Sequence, residues 1–253
     1  MTPRMLLSLT SASFAQQAVI VKKMGFDGID YKASIGDLFI HYQVHLQAKK
    51  NGIPILSLHQ PRWLIPYTPT FLFPRMIRLA LQFPDLQVMN HHLSGVYNLL
   101  SHKKELRIYL SLVKQKKFVC SFESNPNTLI NHLFPLATYS PKAFAAFGQE
   151  HNLFLTLDTA HIAANGYDIV QFFEENFTRI AVIHLSDYKD GVGHLPLGKG
   201  NLPLLKLFHA IRTMKWNKLI ILEIKTFPAS STAEEKQLIL LESLRLAKKY
   251  LKD

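Results

Sequence analysis

A single cysteine, Cys120, stands in 253 residues. The chain can therefore form no internal disulfide and no thiolate metal site, and a reducing cytoplasm is the expected setting. Acidic residues are scarce, with 18 Asp and Glu against 29 Lys and Arg and a formal net charge of +11. Eleven glycines and 13 prolines are too few for a fibrous or low-complexity chain. No apolar run is long enough to span a membrane. The apolar patch Met5-Leu-Leu-Ser-Leu9, which follows Arg4, is shorter than the core of a secretory signal, and reads instead as a first β-strand.

The basic excess raises the question of nucleic acid. The lysines, however, gather in helix-like stretches such as Lys103-Lys104, 114–117 and Lys248-Lys249, where solvated helix faces give the same composition. Charge alone decides nothing about a partner.

Hydrophobic residues make up 48% of the chain, enough for one sizeable core, and the length suits one (β/α)8 barrel. Eight short apolar runs are predicted as strands, at residues 5–10, 28–33, 55–60, 86–92, 118–124, 153–159, 180–187 and 218–224. Most are apolar on both faces, as parallel strands covered on both sides must be. Helical spacing marks 14–24, 37–51, 97–116, 141–152, 167–177, 203–214 and 233–251. Pro66, Pro69, Pro74 and Pro84 break 61–84 into a long loop and one short helix. Regular alternation without a linker predicts one closed (β/α)8 TIM barrel spanning 1–253. An open doubly wound sheet is the alternative, weakened because no glycine-rich phosphate fingerprint follows any strand.

Strand C-termini build the site of such a barrel. Six of the predicted strands end in ligand or acid/base groups: His59, His92, Glu123, Asp158 with His161, His184 with Asp187, and Glu223. Alternation puts His59 with Ser57, Glu123 with Ser121, and Asp158 with Thr156 on one face, and Leu56/Leu58, Cys120/Phe122 and Leu155/Leu157 on the other. Asp158 and Asp187 also suit caps of the segments that follow them. Glu123 and Glu223 end strongly apolar strands, where an unpaired carboxylate is costly unless a cation compensates it.

Five segments resemble the xylose isomerase-like TIM-barrel superfamily, specifically its sugar phosphate isomerase/epimerase branch and the related endonuclease IV type of AP endonuclease. They are Gly25-Phe-Asp-Gly-Ile-Asp30, Ser57-Leu-His59, Phe122-Glu-Ser-Asn-Pro126, Leu157-Asp-Thr-Ala-His161 with Gly166-Tyr-Asp168, and His184-Leu-Ser-Asp187 followed by His194-Leu-Pro-Leu-Gly-Lys-Gly-Asn201. Asp30 stands where the family usually has Glu, and Ser124 where Asn is commoner. The resemblance implies one divalent metal ion on Glu123, Asp158, His184 and Glu223. It further implies proton exchange with the substrate by Glu123 and Glu223, and substrate binding by His161. Endonuclease kinship implies a three-zinc cluster that adds His59, His92, His161 and His194. The Asp two residues before the last histidine is here Val192, and Asp190 is off register. The epimerases' binding Arg is not evident; Lys189 is the nearest cation.

These readings lead to a metal-dependent isomerase or epimerase of a small sugar or sugar phosphate, with Mn or Zn expected and Mg or Co as alternatives. A zinc-dependent phosphodiesterase acting at abasic DNA is the rival, and a non-catalytic barrel the third possibility. Trp63, Trp216 and the aromatic stretch 63–73 suit a pocket cover, core packing or a dimer contact equally.

Overall fold

The computed structural model describes residues 2–34, 36, 42–60, 69–93, 111, 114, 117–124 and 140–252, without the side chains of 11–13, 15, 16, 42, 69–73 and 93. The predicted helix at 97–116 lies outside the described residues but for 111 and 114. Trp63 and the end of the fifth-strand motif, Asn125-Pro126, also lie outside them.

Eight parallel strands close into a barrel in the order β1-β10-β7-β6-β5-β4-β3-β2. They are β1 (Arg4–Thr10), β2 (Gly28–Lys32), β3 (Ile55–His59), β4 (Val88–Leu93), β5 (Val119–Ser124), β6 (Phe154–Asp158), β7 (Ile180–Leu185) and β10 (Leu219–Leu222). Around them lie α1 (Ser11–Lys23), α2 (Tyr42–Asn51), α3 (Pro69–Ala80), α4 (Pro141–Glu150), α5 (Thr159–Ala164), α6 (Ile169–Asn176), α7 (Leu204–Thr213) and α8 (Ala233–Lys252). No described helix is long and apolar enough to cross a membrane.

Local chemistry explains the helix ends. The Ser140 hydroxyl accepts from the Ala143 amide and Pro141 opens α4, the N-terminal arrangement that uses a missing N–H without loss. Gly166, at φ 72°, closes α5: its amide donates to Ala163 and that of Tyr167 to Ile162, the two bonds of a Schellman end. Asp168 then caps α6, so Gly166-Tyr-Asp168 is a structural joint between two helices.

The core has two parts. Outward-facing strand residues such as Met5, Leu7, Tyr31, Leu58, Phe122, Leu155 and Ile183 pack with helix residues including Phe144, Phe172, Phe173, Leu207 and Phe208. Trp216 belongs here; it is buried and its indole donates to the Ile180 carbonyl at 3.0 Å. Inside the barrel, Leu6, Leu56, Val88, Ala181, Val182, Leu219 and Ile221 form an apolar floor built from strands alone. Strict alternation placed Leu56 under the helices, and the structure corrects this. Ile29 pairs with Ile55 and Asp30 with Ser57, which leaves Leu56 as an extra residue. A bulge flips the parity behind it, and Leu56 joins Ser57 and His59 in the interior. Ala181 is the matching extra residue in β7.

Two further corrections concern boundaries. The last barrel strand ends at Leu222, so Glu223 lies just past it. The stretch after β7 is a hairpin, β8 (Asp187–Lys189) against β9 (Val192–Leu195). Its turn residues Asp190 and Gly191 take φ 49° and 84°, the positive values that a two-residue hairpin turn demands and that Asp-Gly supplies. Asp187 organises the loop beyond. Its carboxylate accepts from the amides of Tyr188 at 2.9 Å, Gly198 and Gly200 at 3.0 Å, and Leu202 at 3.1 Å.

Gly200 leaves no room beside that carboxylate, since an added Cβ would lie 2.2 Å from Asp187 Oδ1 and 2.6 Å from the Tyr188 carbonyl oxygen. Gly200→Ala is expected to cost about 1–3 kcal/mol, seen as a fall of roughly 2–4 °C in Tm per kcal/mol lost. An unchanged calorimetric transition would show that the loop yields freely.

Candidate metal centre

Above the apolar floor the barrel interior turns polar. Ser8 donates to Asp30 at 2.9 Å. Ser121 and Thr156 donate to the side-chain oxygen of Asn90 at 3.1 and 2.7 Å. With that oxygen occupied, the Asn90 amide must turn its nitrogen upward, where it donates to Glu123 Oε2 at 2.7 Å.

At the rim, Glu123, Asp158, His184 and Glu223 each offer an atom within 4.8 Å of the others. The four are 0–2% exposed. Glu123 comes from β5, His184 from β7, and Asp158 and Glu223 from the ends of β6 and β10. Asp158 uses Oδ1 to accept from the amides of Ala160 and His161 at 2.9 and 3.0 Å, so it both caps α5 and faces the cluster. His184 Nδ1 stands 3.1 Å from Glu123 Oε2 and 3.0 Å from Glu223 Oε2.

Two other sets abut this one. His59, His92 and Glu123 form one, and Asp158, His161 and His194 the other, each again within 4.8 Å. His161 Nδ1 faces the Ser124 carbonyl at 3.0 Å, and His194 Nδ1 the Glu223 carbonyl at 3.2 Å. A backbone acceptor at Nδ1 places the proton there and leaves Nε2 to act as a ligand. Val192, at the start of β9, is exposed and gives the second set no further carboxylate. Lys189 ends β8 and is exposed. Asp187 is spent on the loop amides.

Burial works against charge on every member, and the partners decide the outcome. For Glu123 burial is outweighed by His184, His92 and His161, which hold its pKa well below the carboxylate norm. Glu223 is likewise held well below by Lys225, His184 and Lys32. His184, despite burial, is pushed well above the histidine norm by Glu123 and Glu223. Burial is opposed at His161 by Asp158 and Glu123, and its pKa rises. Burial lowers His59 and His194, which favours the neutral imidazole that binds metal. On the outer face, burial pushes His91 down to about 3.

The donor set fits a divalent cation. Asp158 Oδ2 and His184 Nε2 are buried without a hydrogen-bond partner, and Glu123 Oε1 and Glu223 Oε2 face imidazole nitrogens at 2.9 Å from His161 and 3.0 Å from His184, a crowding of three carboxylates that one cation at their common centre would relieve. Three carboxylates and one imidazole suit Mn, Mg or Co, and the adjoining histidines suit Zn.

Sequence reading overlooked Asn90, Lys32 and Lys225. Lys32 Nζ lies 3.3 Å from Glu223 Oε1, and Lys225 Nζ contacts the same oxygen. Lys32 lies two residues after Asp30 and Asn90 two before His92, so the alternation that grouped the other residues also reaches them. Lys225 follows two residues behind Glu223, beyond the strand.

Residues 127–250 match the family model for the xylose isomerase-like TIM barrel. Solved structures with the same fold include the 3-keto-D-glucoside 4-epimerase of E. coli, at TM-score 0.75 and 12% identity, covering 98% of this chain and 99% of that one. The D-allulose 3-epimerase of a Methylomonas species in complex with D-allulose is similar at 0.68 and 15%, covering 99% and 96%. A family 2 AP endonuclease of Brucella melitensis is similar at 0.73 and 12%, covering 96% and 98%. No functionally curated protein sequence matches the chain.

If the four ligands meet a cation, chelator-dialysed protein should gain about 2.7 kcal/mol at a Mn²⁺ concentration of 100 Kd, or roughly 5–10 °C in Tm. His184→Ala should abolish that gain. A wild-type transition indifferent to Mn²⁺ and Zn²⁺ would remove the metal site.

Proposed function

From a chain with the xylose isomerase-like TIM-barrel fold, we propose a divalent-metal-dependent isomerase or epimerase of a small sugar or sugar phosphate. One observation carries the reading: two ionised glutamates, Glu123 and Glu223, converge with Asp158 and His184 on one buried point at the mouth of the barrel. The epimerases among the similar structures support the substrate class.

Glu123, Asp158, His184 and Glu223 would hold the cation, which when bound supplies Lewis-acid stabilisation of negative charge on a substrate oxygen. The reaction removes a proton beside a carbonyl and returns it to the same or the neighbouring carbon. One glutamate takes that proton as base; the proton is returned by that same carboxyl, or from the opposite face by the other glutamate once it has taken up a proton from solvent. Asn90 fixes Glu123 by its Oε2, the oxygen that also faces His184, and Oε1 faces His161. Lys32 and Lys225 fix Glu223 by its Oε1. His161 would orient a substrate hydroxyl, and Lys189 the outer end of a longer substrate.

A second reading is a zinc-dependent phosphodiesterase acting at abasic DNA. It is favoured by the two histidine sets that share Glu123 and Asp158 with the central four. Multi-metal hydrolysis places adjacent ions on the attacking and leaving oxygens. Val192 counts against a complete third set.

Glu123→Gln and Glu223→Gln should each lower kcat by about 10²–10⁴ and suppress exchange of the substrate carbon-bound proton with deuterated water. Elemental analysis of the purified protein should find about one ion per chain, whereas about three would favour hydrolysis. Full isomerase activity in Glu123→Gln would reject the catalytic assignment.

A further inference from the structure

Strands lose their ladder partners where they leave a sheet, and the strand that carries His184 leaves it at the metal centre. The pairing of β6 with β7 ends at Asp158 opposite His184. The next residue, Thr159, already begins α5, so the β7 chain beyond His184 has no strand beside it on this edge. The amide and carbonyl of Ser186 are nonetheless satisfied there, and one side chain does it. The Thr159 hydroxyl donates to the Ser186 carbonyl at 2.7 Å and accepts from the Ser186 amide at 3.0 Å, with the His184 carbonyl oxygen 3.3 Å away. Thr159 and Ser186 are both fully buried. A hydroxyl suits the place because it is donor and acceptor at once.

Three of the four central ligands hang on this joint. Asp158 directly precedes Thr159, and its Oδ1 is held by the amides of Ala160 and His161 just beyond. His184 lies two residues before Ser186. On the other edge of β7, the Glu223 amide donates to the Leu185 carbonyl at 3.1 Å. The segments that present Asp158, His184 and Glu223 are thus laced together behind the converging side chains. The Glu223 link runs from backbone to backbone, whereas the Thr159 link depends on a single hydroxyl. The helix does not call for that hydroxyl, since Asp158 already caps α5. A valine would fill nearly the same space and leave the Ser186 amide and carbonyl without it.

We propose that Thr159 is a positioning residue of the metal centre: its hydroxyl, spent on backbone alone, sets the spacing of Asp158 and His184 and thereby how tightly a divalent cation is held. This rests on the metal-dependent reading above and adds to it the part of the scaffold that tunes affinity. Groups that orient ligands from behind typically carry about 10–100-fold in metal affinity.

Calorimetric titration of chelator-dialysed protein with Mn²⁺, together with the visible absorption spectrum of the Co²⁺-loaded protein, tests this without reading turnover. Thr159→Val should weaken Mn²⁺ binding about 10–100-fold and alter the Co²⁺ spectrum. Thr159→Ser keeps the hydroxyl and should restore both. Thr159→Cys, a weaker donor and acceptor of similar size, should fall between them, and stands in for Thr159→Val if that variant does not fold. Trp216→Phe is the control. It deletes the indole bond to the Ile180 carbonyl at the far end of β7, and should lower Tm yet leave Mn²⁺ affinity and the Co²⁺ spectrum unchanged. Wild-type affinity and spectrum in folded Thr159→Val, or in Thr159→Cys where it stands in, overturn the positioning role while the metal centre stands; so does an equal loss in Trp216→Phe. Wild-type protein that takes up neither Mn²⁺ nor Co²⁺ overturns the metal centre itself, and the role of Thr159 with it.

Discussion

Three carboxylates are buried around a single imidazole at the top of this barrel, and most of the interior answers to that burden. Glu123, Asp158 and Glu223 are at most 2% exposed, and each would lose several kcal/mol of hydration without compensation. The chain supplies part of the compensation itself: His184 between the two glutamates, Asn90 beneath one and two lysines beside the other. The same demand explains why the interior is layered. Apolar residues fill the floor, then Asp30, Ser57, Asn90, Ser121 and Thr156 form a fully buried polar tier, with half-buried Ser8 beside Asp30. That tier lets hydrogen bonds reach up to the rim from a scaffold whose outer strand face is wholly committed to the helices.

The carboxylates divide their oxygens in a consistent way. Asp158 gives Oδ1 to helix amides and keeps Oδ2 for the centre. Glu123 gives Oε2 to Asn90 and His184 and turns Oε1 to His161. Glu223 gives Oε1 to lysines and points Oε2 inward. One oxygen of each is anchored by the scaffold, so the other arrives already oriented, which is how ligands and catalytic groups are preorganised. Asp187 is the instructive contrast. It stands near the same rim, yet both its oxygens are saturated by four backbone amides, and its work is to shape the loop that holds His194 in place.

The barrel and the convergence of polar groups at its rim were legible because they obey two simple periodicities: strands separated by helices, and polar groups at strand ends on one face. What escaped did so for physical reasons. Bulges at Leu56 and Ala181 break the alternation, and nothing in an apolar run marks where the extra residue goes. The hairpin after β7 carries its signal in Asp190-Gly191, but its strands, Asp187–Lys189 and Val192–Leu195, are too short to show an alternation of their own. Lys32 and Lys225 were passed over because a lysine in a chain with 29 basic residues looks like surface. Only geometry shows which lysines reach the rim carboxylate.

The rim is asymmetric, and that asymmetry bears on the chemistry more than the fold does, since similarity at 12–15% identity to epimerases and to an endonuclease fixes the barrel alone. On one side stand neutral or shared imidazoles, able to ligate further cations. On the other stand two fixed ammonium groups against Glu223. A hydrolase that spreads charge over several ions needs carboxylates to hold them, and the set of Asp158, His161 and His194 has one carboxylate, with exposed Val192 beside it in sequence. A proton-transfer enzyme needs one cation and two opposed carboxylates, and Glu123 and Glu223 stand on either side of the His184 imidazole.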